Sequence, residues 1–373
     1  MRIVVAPDSF KGSLPASRVC DAVAAGVLRA VPGAEVVAVP MADGGEGTLD
    51  CFLAARAGDV VEVAAADPLG RPVKARYALS GDRAVVELAA ASGLPLVEDV
   101  PRDPLNAATT GTGELIADAV RRGARDVLVA VGGSAATDGG TGLLRALGVR
   151  FLDAGGAELP PGGAALARLA RIDDSGLPDE VRATRFRVAC DVTNPLVGPE
   201  GAAAVFGPQK GASPEQVREL DAALTVFADV VEAHTGVRVH DLPGAGAAGG
   251  TCGGLVGLLG AETAPGARLV AEMTGLPAAL DGADLVITGE GRVDGQSAAG
   301  KVVSAVAALA RERGVPAVAL AGGVAGPLDD LHALGLTAAF SIADGPRDLD
   351  ELKAEAAPLL TALAEQVIRL VAR

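Results

Sequence analysis

The stretch Ala283-Asp-Leu-Val-Ile-Thr-Gly-Glu-Gly-Arg-Val-Asp-Gly-Gln-Ser-Ala-Ala-Gly-Lys301 predicts a strand, a polar loop and the start of a helix, in that order. Its apolar run is typical of a buried strand, and the alanine-rich segment that begins near Ser297 is typical of a helix. In an open α/β sheet, ligands bind where a strand ends and its loop enters a helix, because backbone N–H groups and the helix dipole point there. Glu290 and Asp294 could therefore bind a metal or accept a proton, and Lys301 could meet a phosphate. An ordinary strand-to-helix crossover with solvated charges fits the same pattern.

The composition indicates an aliphatic, acidic protein with more than one domain. At 373 residues, the chain exceeds the size of one typical hydrophobic core. Aromatic residues make up 2% of the sequence and tryptophan is absent, so alanine, valine, leucine and isoleucine must form the cores. The net charge of −15 argues against nucleic acid and anionic membranes as partners, because both require clustered lysine and arginine.

The cysteines, the apolar runs and the histidines indicate a cytoplasmic protein without a zinc site. The cysteines are widely spaced without a C-x-x-C pair, which favours reduced thiols; they are Cys20, Cys51, Cys190 and Cys252. No apolar run approaches the ~18 residues that a membrane helix requires, and the chain begins with a strand pattern rather than a signal peptide. The three histidines lack the spacing of metal ligands.

Five predicted parallel strands surround a long segment with a different pattern. They lie at 2–6, 36–39, 285–288, 316–321 and 338–342. Between them, closely spaced strands joined by short turns indicate antiparallel pairing, before further α/β units follow. The five outer strands are close to the flavodoxin-like plan, interrupted by an insertion. We predict a discontinuous domain over 1–63 and 268–373, and an inserted α/β domain over 64–267.

Three strand-end loops of the outer domain carry acidic side chains beside glycines. They contain Asp8 with Lys11, Asp43 with Glu46, and Glu290 with Asp294. In a parallel sheet, these loops emerge at one edge although the last is far from the others in sequence. We therefore expect the three loops to form one site.

Eight motifs occur along nearly the whole chain. They are Ala6-Pro-Asp-Ser-Phe-Lys-Gly-Ser13, Pro40-Met-Ala-Asp-Gly-Gly-Glu-Gly47, Pro104-Leu with Gly111-Thr-Gly-Glu-Leu115, Gly132-Gly-Ser-Ala135 with Asp138-Gly-Gly140, Cys190-Asp-Val-Thr-Asn-Pro195, Phe206-Gly-Pro-Gln-Lys-Gly211, Gly244-Ala-Gly-Ala-Ala-Gly-Gly250 and Ile287-Thr-Gly-Glu-Gly291. Each motif alone is weak. Together they resemble the glycerate kinases of the type that lacks any common kinase motif.

The resemblance implies a fold and a reaction. The fold is a flavodoxin-like domain interrupted by an α/β domain of restriction-endonuclease-like topology. The reaction is the phosphorylation of D-glycerate by ATP with Mg²⁺, giving 2-phosphoglycerate in most such bacterial enzymes, within glycerate and glyoxylate metabolism. This chain departs from the family pattern at Ala136 and Thr137, where a hydroxyl and an amide are usual. Ser297 replaces a usual threonine, and Val302 stands where a proline often occurs.

Phosphoryl transfer to a hydroxyl requires positioning and charge neutralisation, together with a carboxylate that receives the hydroxyl proton. We expect Asp191 or Asp294 to act as this base. Lys11 and Lys301 are expected to neutralise phosphate or substrate charge, and Asp8 is a further catalytic candidate.

The other candidate residues are expected to bind ligands. The substrate candidates are Ser9, Asn194, Gln209, Lys210 and Arg292. The candidates for Mg²⁺, directly or through water, are Asp43, Glu46 and Glu290. The glycine-rich loop at 132–140 would wrap the nucleotide phosphates with backbone N–H groups. The nucleotide candidates are Gly132, Gly133, Ser134, Asp138, Gly139 and Gly289.

Structural roles fit some of these residues equally well. Asp191 could cap a turn, Asp43 could form an Asp-Gly turn, and Lys301 could be a solvated helix residue. The segment 295–301 fits G-x-x-x-x-G-K, but Val302 occupies the place of the Mg²⁺-binding hydroxyl, which argues against a P-loop.

Three other functions are alternatives to a D-glycerate 2-kinase. They are a D-glycerate 3-kinase, a non-catalytic hydroxy-acid sensor and a nicotinamide-dependent oxidoreductase. The last lacks a G-x-G-x-x-G motif after its first strand. The oligomeric state is also open, with a homodimer as one assembly.

Overall fold

The computed structural model describes residues 1–45, 47–55, 58–298 and 300–372. The strands are β1 (Arg2–Val5), β2 (Glu35–Ala38), β3 (Asp59–Ala66), β4 (Pro72–Ser80), β5 (Arg83–Glu87), β6 (Asp126–Ala130), β7 (Arg150–Leu152), β8 (Arg171–Asp173), β9 (Arg185–Ala189), β10 (Glu262–Ala264), β11 (Leu285–Thr288), β12 (Arg292–Val293), β13 (Ala317–Ala321), β14 (Gly323–Val324) and β15 (Leu336–Ser341). The α-helices are α1 (Ala16–Ala30), α2 (Thr48–Ala55), α3 (Ala89–Ser92), α4 (Thr110–Arg121), α5 (Thr141–Ala146), α6 (Asp179–Arg182), α7 (Ala202–Phe206), α8 (Pro214–Thr235), α9 (Thr251–Leu259), α10 (Gly266–Thr274), α11 (Leu276–Leu280), α12 (Val302–Glu312), α13 (Asp329–Leu334), α14 (Leu349–Ala354) and α15 (Ala356–Val371). Short 3-10 turns lie at Leu94–Val97, Ala164–Arg168, Pro208–Lys210 and Gly295–Ala298.

Two compact units divide the chain. The first comprises Met1–Ala57 and Pro265–Arg373, and the second comprises Gly58–Ala264. Strand β3 pairs with β4 along its whole length, so all of β3 belongs to the second unit. A domain boundary at residue 63 would cut this strand, and the units therefore divide before β3 begins. Strand β10 pairs with β9, and the chain returns to the first unit directly after β10.

A five-stranded parallel sheet forms the centre of the first unit, in the order β15-β13-β11-β1-β2. The prediction of five parallel strands is confirmed. Both faces of this sheet are buried. Ile3 and Val5 on β1 pack in the cluster that includes α1 and α15, whereas Val4 packs in the cluster that includes α10 and α12. This burial explains why the strands read as continuous apolar runs.

A six-stranded mixed sheet forms the centre of the second unit, in the order β10-β9-β6-β5-β4-β3. Strands β3, β4 and β5 are antiparallel, as their short connecting turns predicted. Strands β5, β6, β9 and β10 are parallel to one another. The long helix α8 begins at a capping box formed by Ser213 and Gln216, and it ends at Gly236, whose φ is +77°. Its Phe227 lies 6.3 Å from Phe151 between ring centroids, in a core that is mainly aliphatic.

Within the described ranges, no helix combines the length and the apolar character needed to cross a bilayer.

Candidate active site

The loops that follow β1 and β11 lie side by side at one edge of the parallel sheet. The backbone N–H of Asp8 donates to the carbonyl of Gly289 at 2.8 Å. A Cβ at Gly291 would lie 3.7 Å from the backbone nitrogen of Lys11. Gly289 admits no side chain, because a Cβ there would lie 1.8 Å from the carbonyl oxygen of Leu320 on β13. The backbone itself therefore brings the two acidic loops together.

The loop that follows β2 joins the same edge. The backbone N–H of Met41 donates to the carbonyl of Pro7 at 2.9 Å, which ties this loop to the end of β1. The Oδ2 atom of Asp43 lies 3.4 Å from Nζ of Lys11, whose side chain is 78% exposed. The Oδ1 atom of Asp43 accepts from the N–H of Gly45 at 3.1 Å. Asp43 thus forms the turn that its sequence suggested and also faces the lysine.

Burial and mutual repulsion perturb the acids at this edge. Asp8 and Glu290 are only 6% and 8% exposed. Burial, followed by the charge of Asp43, raises the pKa of Asp8 to about 7. Burial also raises the pKa of Glu290. The charge of Asp43 raises the pKa of Lys11, which keeps that ammonium group protonated. A pKa near the working pH suits general acid–base catalysis, which makes Asp8 a candidate for that role.

A small cavity lies beside Asp8. Its volume is about 60 Å³, the space of a few water molecules, and its lining includes Ser9, Met41 and Asp50. The backbone N–H of Ser9 donates to Oδ1 of Asp8 at 2.6 Å. Ser9 therefore lies beside the buried carboxylate of Asp8, and its contact with the substrate stays a prediction.

Hydrogen bonds organise the loop between β11 and α12. Glu290 accepts from the hydroxyl of Ser297 at 2.5 Å. Asp294 accepts from Nε of Arg292 at 3.0 Å through Oδ2, and from the N–H of Gln296 at 3.0 Å through Oδ1. Both carboxylate oxygens of Asp294 thus have partners within its own loop.

Lys301 lies at the N-cap of α12 and is partly exposed. Burial is the main influence that raises the pKa of Glu290, and the positive charge of Lys301 opposes this rise. The ammonium group is therefore close enough to Glu290 to affect it, so Lys301 is part of the same charged edge. Glu46 lies outside the described residues.

The glycine-rich loop after β6 lies mostly inside the second unit. Asp138 has no exposed surface, and its carboxylate accepts from the N–H groups of Gly140 and Gly142 and from both the N–H and the hydroxyl of Thr109. Gly139 is buried and donates its N–H to the carbonyl of Gly249 at 3.0 Å. The polar groups of Asp138 and Gly139 therefore hold the loop together, and their contact with the nucleotide stays a prediction.

Only the start of this loop reaches the surface. Gly132 and Gly133 are exposed, whereas Ser134 is buried and donates its hydroxyl to the carbonyl of Ala136 at 3.2 Å. Ala136 and Thr137 have no exposed surface, so the two departures from the family pattern are core substitutions. Backbone N–H groups could bind an anion at Gly132 and Gly133, but not along the whole loop.

Lys210 lies under the same loop. It is 2% exposed, and its ammonium group donates to the carbonyl of Ala136. Burial lowers the pKa of Lys210 to about 8, and the charge of Asp138 opposes this decrease. The ammonium group of Lys210 is therefore enclosed within the second unit, and its contact with the substrate stays a prediction.

The remaining candidates of the second unit follow β9 or lie near α8. Asp191 is exposed directly after β9. Asn194 is partly buried and donates to the carbonyl of Glu200 at 2.8 Å, which supports its loop. Gln209 is exposed, and its backbone carbonyl accepts from Arg102. Asp191 and Gln209 therefore lie at the surface of the second unit, and their roles in ligand binding stay predictions.

Comparison with known proteins identifies the family. The model of the glycerate kinase family matches residues 3–372. The chain belongs to the glycerate kinase family. It is 44% identical to a Bacillus subtilis protein named glycerate kinase, over 98% of this chain and 97% of that one. It is 45% identical to an Escherichia coli protein named glycerate 2-kinase, over 94% of this chain and 93% of that one.

A solved structure agrees with this membership. The crystal structure of a provisionally named glycerate kinase 2 from Salmonella typhimurium LT2 is 44% identical to the chain and matches it with a TM-score of 0.91. The match covers 100% of this chain and 98% of that one. The predicted enzyme class, a phosphotransferase of the glycerate kinase family, is confirmed.

In the first unit of this glycerate kinase family member, six charged residues predicted from the sequence lie close together. The residues that meet there are Asp8, Lys11, Asp43, Glu290, Asp294 and Lys301. Arg292 is 72% exposed on the outer side of its ion pair with Asp294. Sequence reasoning did not place Ser297 in the site, although a hydroxyl-bearing residue at this position of the loop was an available signal.

Proposed function

We propose that the protein transfers a phosphoryl group from ATP to the 2-hydroxyl of D-glycerate, giving 2-phospho-D-glycerate within glycerate and glyoxylate metabolism. Family membership supports glycerate as the substrate and ATP as the donor. The relative named glycerate 2-kinase, at 45% identity, supports the 2-hydroxyl as the acceptor. We expect the enzyme to act in the cytoplasm, where its four free cysteines would stay reduced.

The observation that carries this proposal is the charged edge of the first unit. It combines a buried acid with a pKa near neutrality, Asp8, with a cation, Lys11, and further carboxylates. Phosphoryl transfer needs a proton acceptor, a group that neutralises the phosphate charge, and carboxylates for Mg²⁺. Asp8 would accept the hydroxyl proton, and Lys11 would bind phosphate or substrate charge. Asp191 and Asp294 stay candidates for the base, although the oxygens of Asp294 already have partners.

The acids of this edge fit Mg²⁺. Three carboxylates, those of Asp8, Asp43 and Glu290, face Lys11, and their excess charge contributes to the raised pKa of Asp8. Among the described residues, no group of three or more His, Cys, Asp or Glu is arranged to hold a metal by itself. Mg²⁺ in kinases is usually bound by one or two carboxylates together with phosphate oxygens. Asp43 and Glu290 would therefore hold the ion, which would neutralise phosphate charge.

The sheet order supports a flavodoxin-like first unit. Numbered within that unit, its strands have the order 2-1-3-4-5, which is the flavodoxin order. In that plan, ligands bind at the carboxyl ends of the strands where the order reverses, between the first and third strands. These are β1 and β11, the strands that end at Asp8 and Glu290. We assign the mixed sheet of the second unit to the restriction-endonuclease-like topology, over the unit bounds given above.

An assay with D-glycerate and Mg-ATP tests the proposal. ADP release is measured by a coupled reaction, and NMR resolves the 2- and 3-phosphoglycerates. We expect 2-phosphoglycerate, and we expect Lys11→Ala to lower turnover by at least ~100-fold, because a charge on the transferred group is lost. Lys74→Ala is the matched control, because Lys74 is an exposed strand residue paired with Glu62 at 3.1 Å.

Other outcomes have direct interpretations. Formation of 3-phosphoglycerate would make the enzyme a D-glycerate 3-kinase. An absence of ADP release would favour a hydroxy-acid-binding protein. Wild-type turnover in Lys11→Ala would remove Lys11 from the mechanism, and the same result in Asp191→Asn would remove Asp191.

A further inference from the structure

The hydroxyl of Ser297 joins two acids of the candidate site. It lies 2.5 Å from Oε1 of Glu290 and 3.2 Å from the backbone nitrogen of Asp294. The backbone N–H of Ser297 donates to the carbonyl of Asp294 at 2.9 Å. Ser297 and Asp294 therefore hold each other through two hydrogen bonds, and the serine side chain has a defined orientation.

The direction of these bonds follows from the donors available. A hydroxyl has one proton and two acceptor lone pairs. The N–H of Asp294 donates to Oγ of Ser297, so the single hydroxyl proton is left for Glu290. A hydrogen bond from a hydroxyl to a carboxylate is short and is stronger than one between neutral groups. The 2.5 Å distance is of that kind.

Burial makes this contact hard to replace. Ser297 has no exposed surface, and Glu290 is 8% exposed. If the hydroxyl were removed, bulk water would not readily supply the missing donor, so the carboxylate of Glu290 would lose one of its orienting contacts. The N–H of Asp294 would lose its acceptor in the same step.

We propose that Ser297 is a positioning residue, which fixes the carboxylate of Glu290 and couples it to the loop of Asp294. This inference rests on the proposed function, in which Glu290 acts at the phosphoryl groups. Ser297 itself touches no substrate in this proposal. Its effect passes through Glu290, and small displacements of a reacting group can lower turnover strongly.

Steady-state kinetics of three single variants test the inference. We expect Ser297→Ala to lower kcat by ~10- to 100-fold while the KM for D-glycerate changes by less than ~2-fold. Ser297→Thr keeps the hydroxyl and should retain kcat within ~3-fold of the wild type. Thr361→Ala is the matched control, because Thr361 is a buried hydroxyl residue of α15 that donates to the carbonyl of Ala22 on α1, outside the loops of the candidate site. Its kcat should equal that of the wild type.

A double-variant comparison separates positioning from a general structural role. In a Glu290→Gln background, adding Ser297→Ala should lower kcat by less than ~2-fold more, because the positioned carboxylate is already absent. The inference is overturned if the fold-decrease in kcat of the double variant equals the product of the fold-decreases of the two single variants. A Ser297→Ala kcat equal to that of Thr361→Ala would also overturn it. If Ser297→Ala is insoluble, Ser297→Cys weakens the same bond and is subject to the same criteria.

Different experimental results would reject the proposed function and the inference about Ser297. A wild-type protein that releases no ADP with D-glycerate rejects the proposed function. Wild-type kcat in Glu290→Gln removes the role of Glu290 and overturns the positioning role with it. If Glu290→Gln strongly lowers kcat and Ser297→Ala keeps the wild-type kcat, the proposed function stands and only the inference about Ser297 is overturned.

Discussion

The Asp8 carboxylate should destabilise the folded protein at the pH at which it acts. Its pKa rises from 3.8 to about 7 on folding, chiefly because it is buried. The folded chain therefore binds more protons than the unfolded chain between these values, and the free energy of unfolding falls as pH rises through that window. A shift of three pKa units lowers the free energy of unfolding by at most about 4 kcal/mol at pH 8. At pH 5, where the folded carboxyl is still mostly protonated, the same relation gives a decrease of about 2 kcal/mol.

Replacing Asp8 with asparagine removes the free-energy cost of burying a charged carboxylate and keeps the size and shape of the side chain. An asparagine Oδ1 can still accept from the N–H of Ser9, as Asp8 does at 2.6 Å. We expect Asp8→Asn to raise the free energy of unfolding by ~1–4 kcal/mol at pH 8 and by about half as much at pH 5. Turnover should fall at least ~100-fold, because an amide cannot accept the hydroxyl proton.

Urea denaturation of the ligand-free protein at pH 5 and pH 8 measures this difference. Asp21→Asn is the control, because Asp21 is exposed on α1 and its replacement should change stability little at either pH. The reasoning is refuted if Asp8→Asn is less stable than the wild type at pH 8. It is also refuted if the gain is as large at pH 5 as at pH 8.

Two further predictions concern buried groups of the second unit. Burial lowers the pKa of Lys210 from 10.5 to about 8, so the unfolded chain binds more protons between these values and stability rises with pH across them. Lys210→Met should therefore raise the free energy of unfolding at pH 7 by ~1–3 kcal/mol, which is measured as a higher urea midpoint. A lower midpoint than that of the wild type would contradict this prediction. The neighbouring thiol of Cys252 lowers the pKa of the Cys190 thiol. Alkylation of Cys190, followed by mass spectrometry, should therefore reach half its maximal rate at a lower pH than that of an ordinary exposed thiol, and Cys252→Ala should move that point upward; an unchanged profile would exclude the contact.

Much of the first unit was predictable from local sequence. Its strands are buried on both faces, so they appear as short apolar runs, and the loops after them carry the polar residues. Parallel pairing then implies that Asp8 and Glu290 end at the same edge, and the structure brings them together there. The strand β3 was also visible as an apolar run, but its membership of the second unit depends on its pairing with β4.

Burial of individual polar side chains was not predictable in the same way. Asp138 and Lys210 lie in glycine-rich, polar stretches that resemble ligand-binding loops, yet both are enclosed by distant parts of the second unit. The contact between Ser297 and Glu290 depends on how one loop folds back on itself. The near-neutral pKa of Asp8 depends on Asp43 and on the layers that exclude water.

The amino-acid sequence by itself determined the strand pattern, the family and the loops that carry the acids, because these follow from local periodicity and from motifs. Only the tertiary structure decided which polar groups face a ligand and which support the fold. The reason is physical: desolvation and charge interactions depend on neighbours in space, and those neighbours come from segments up to hundreds of residues apart in the chain.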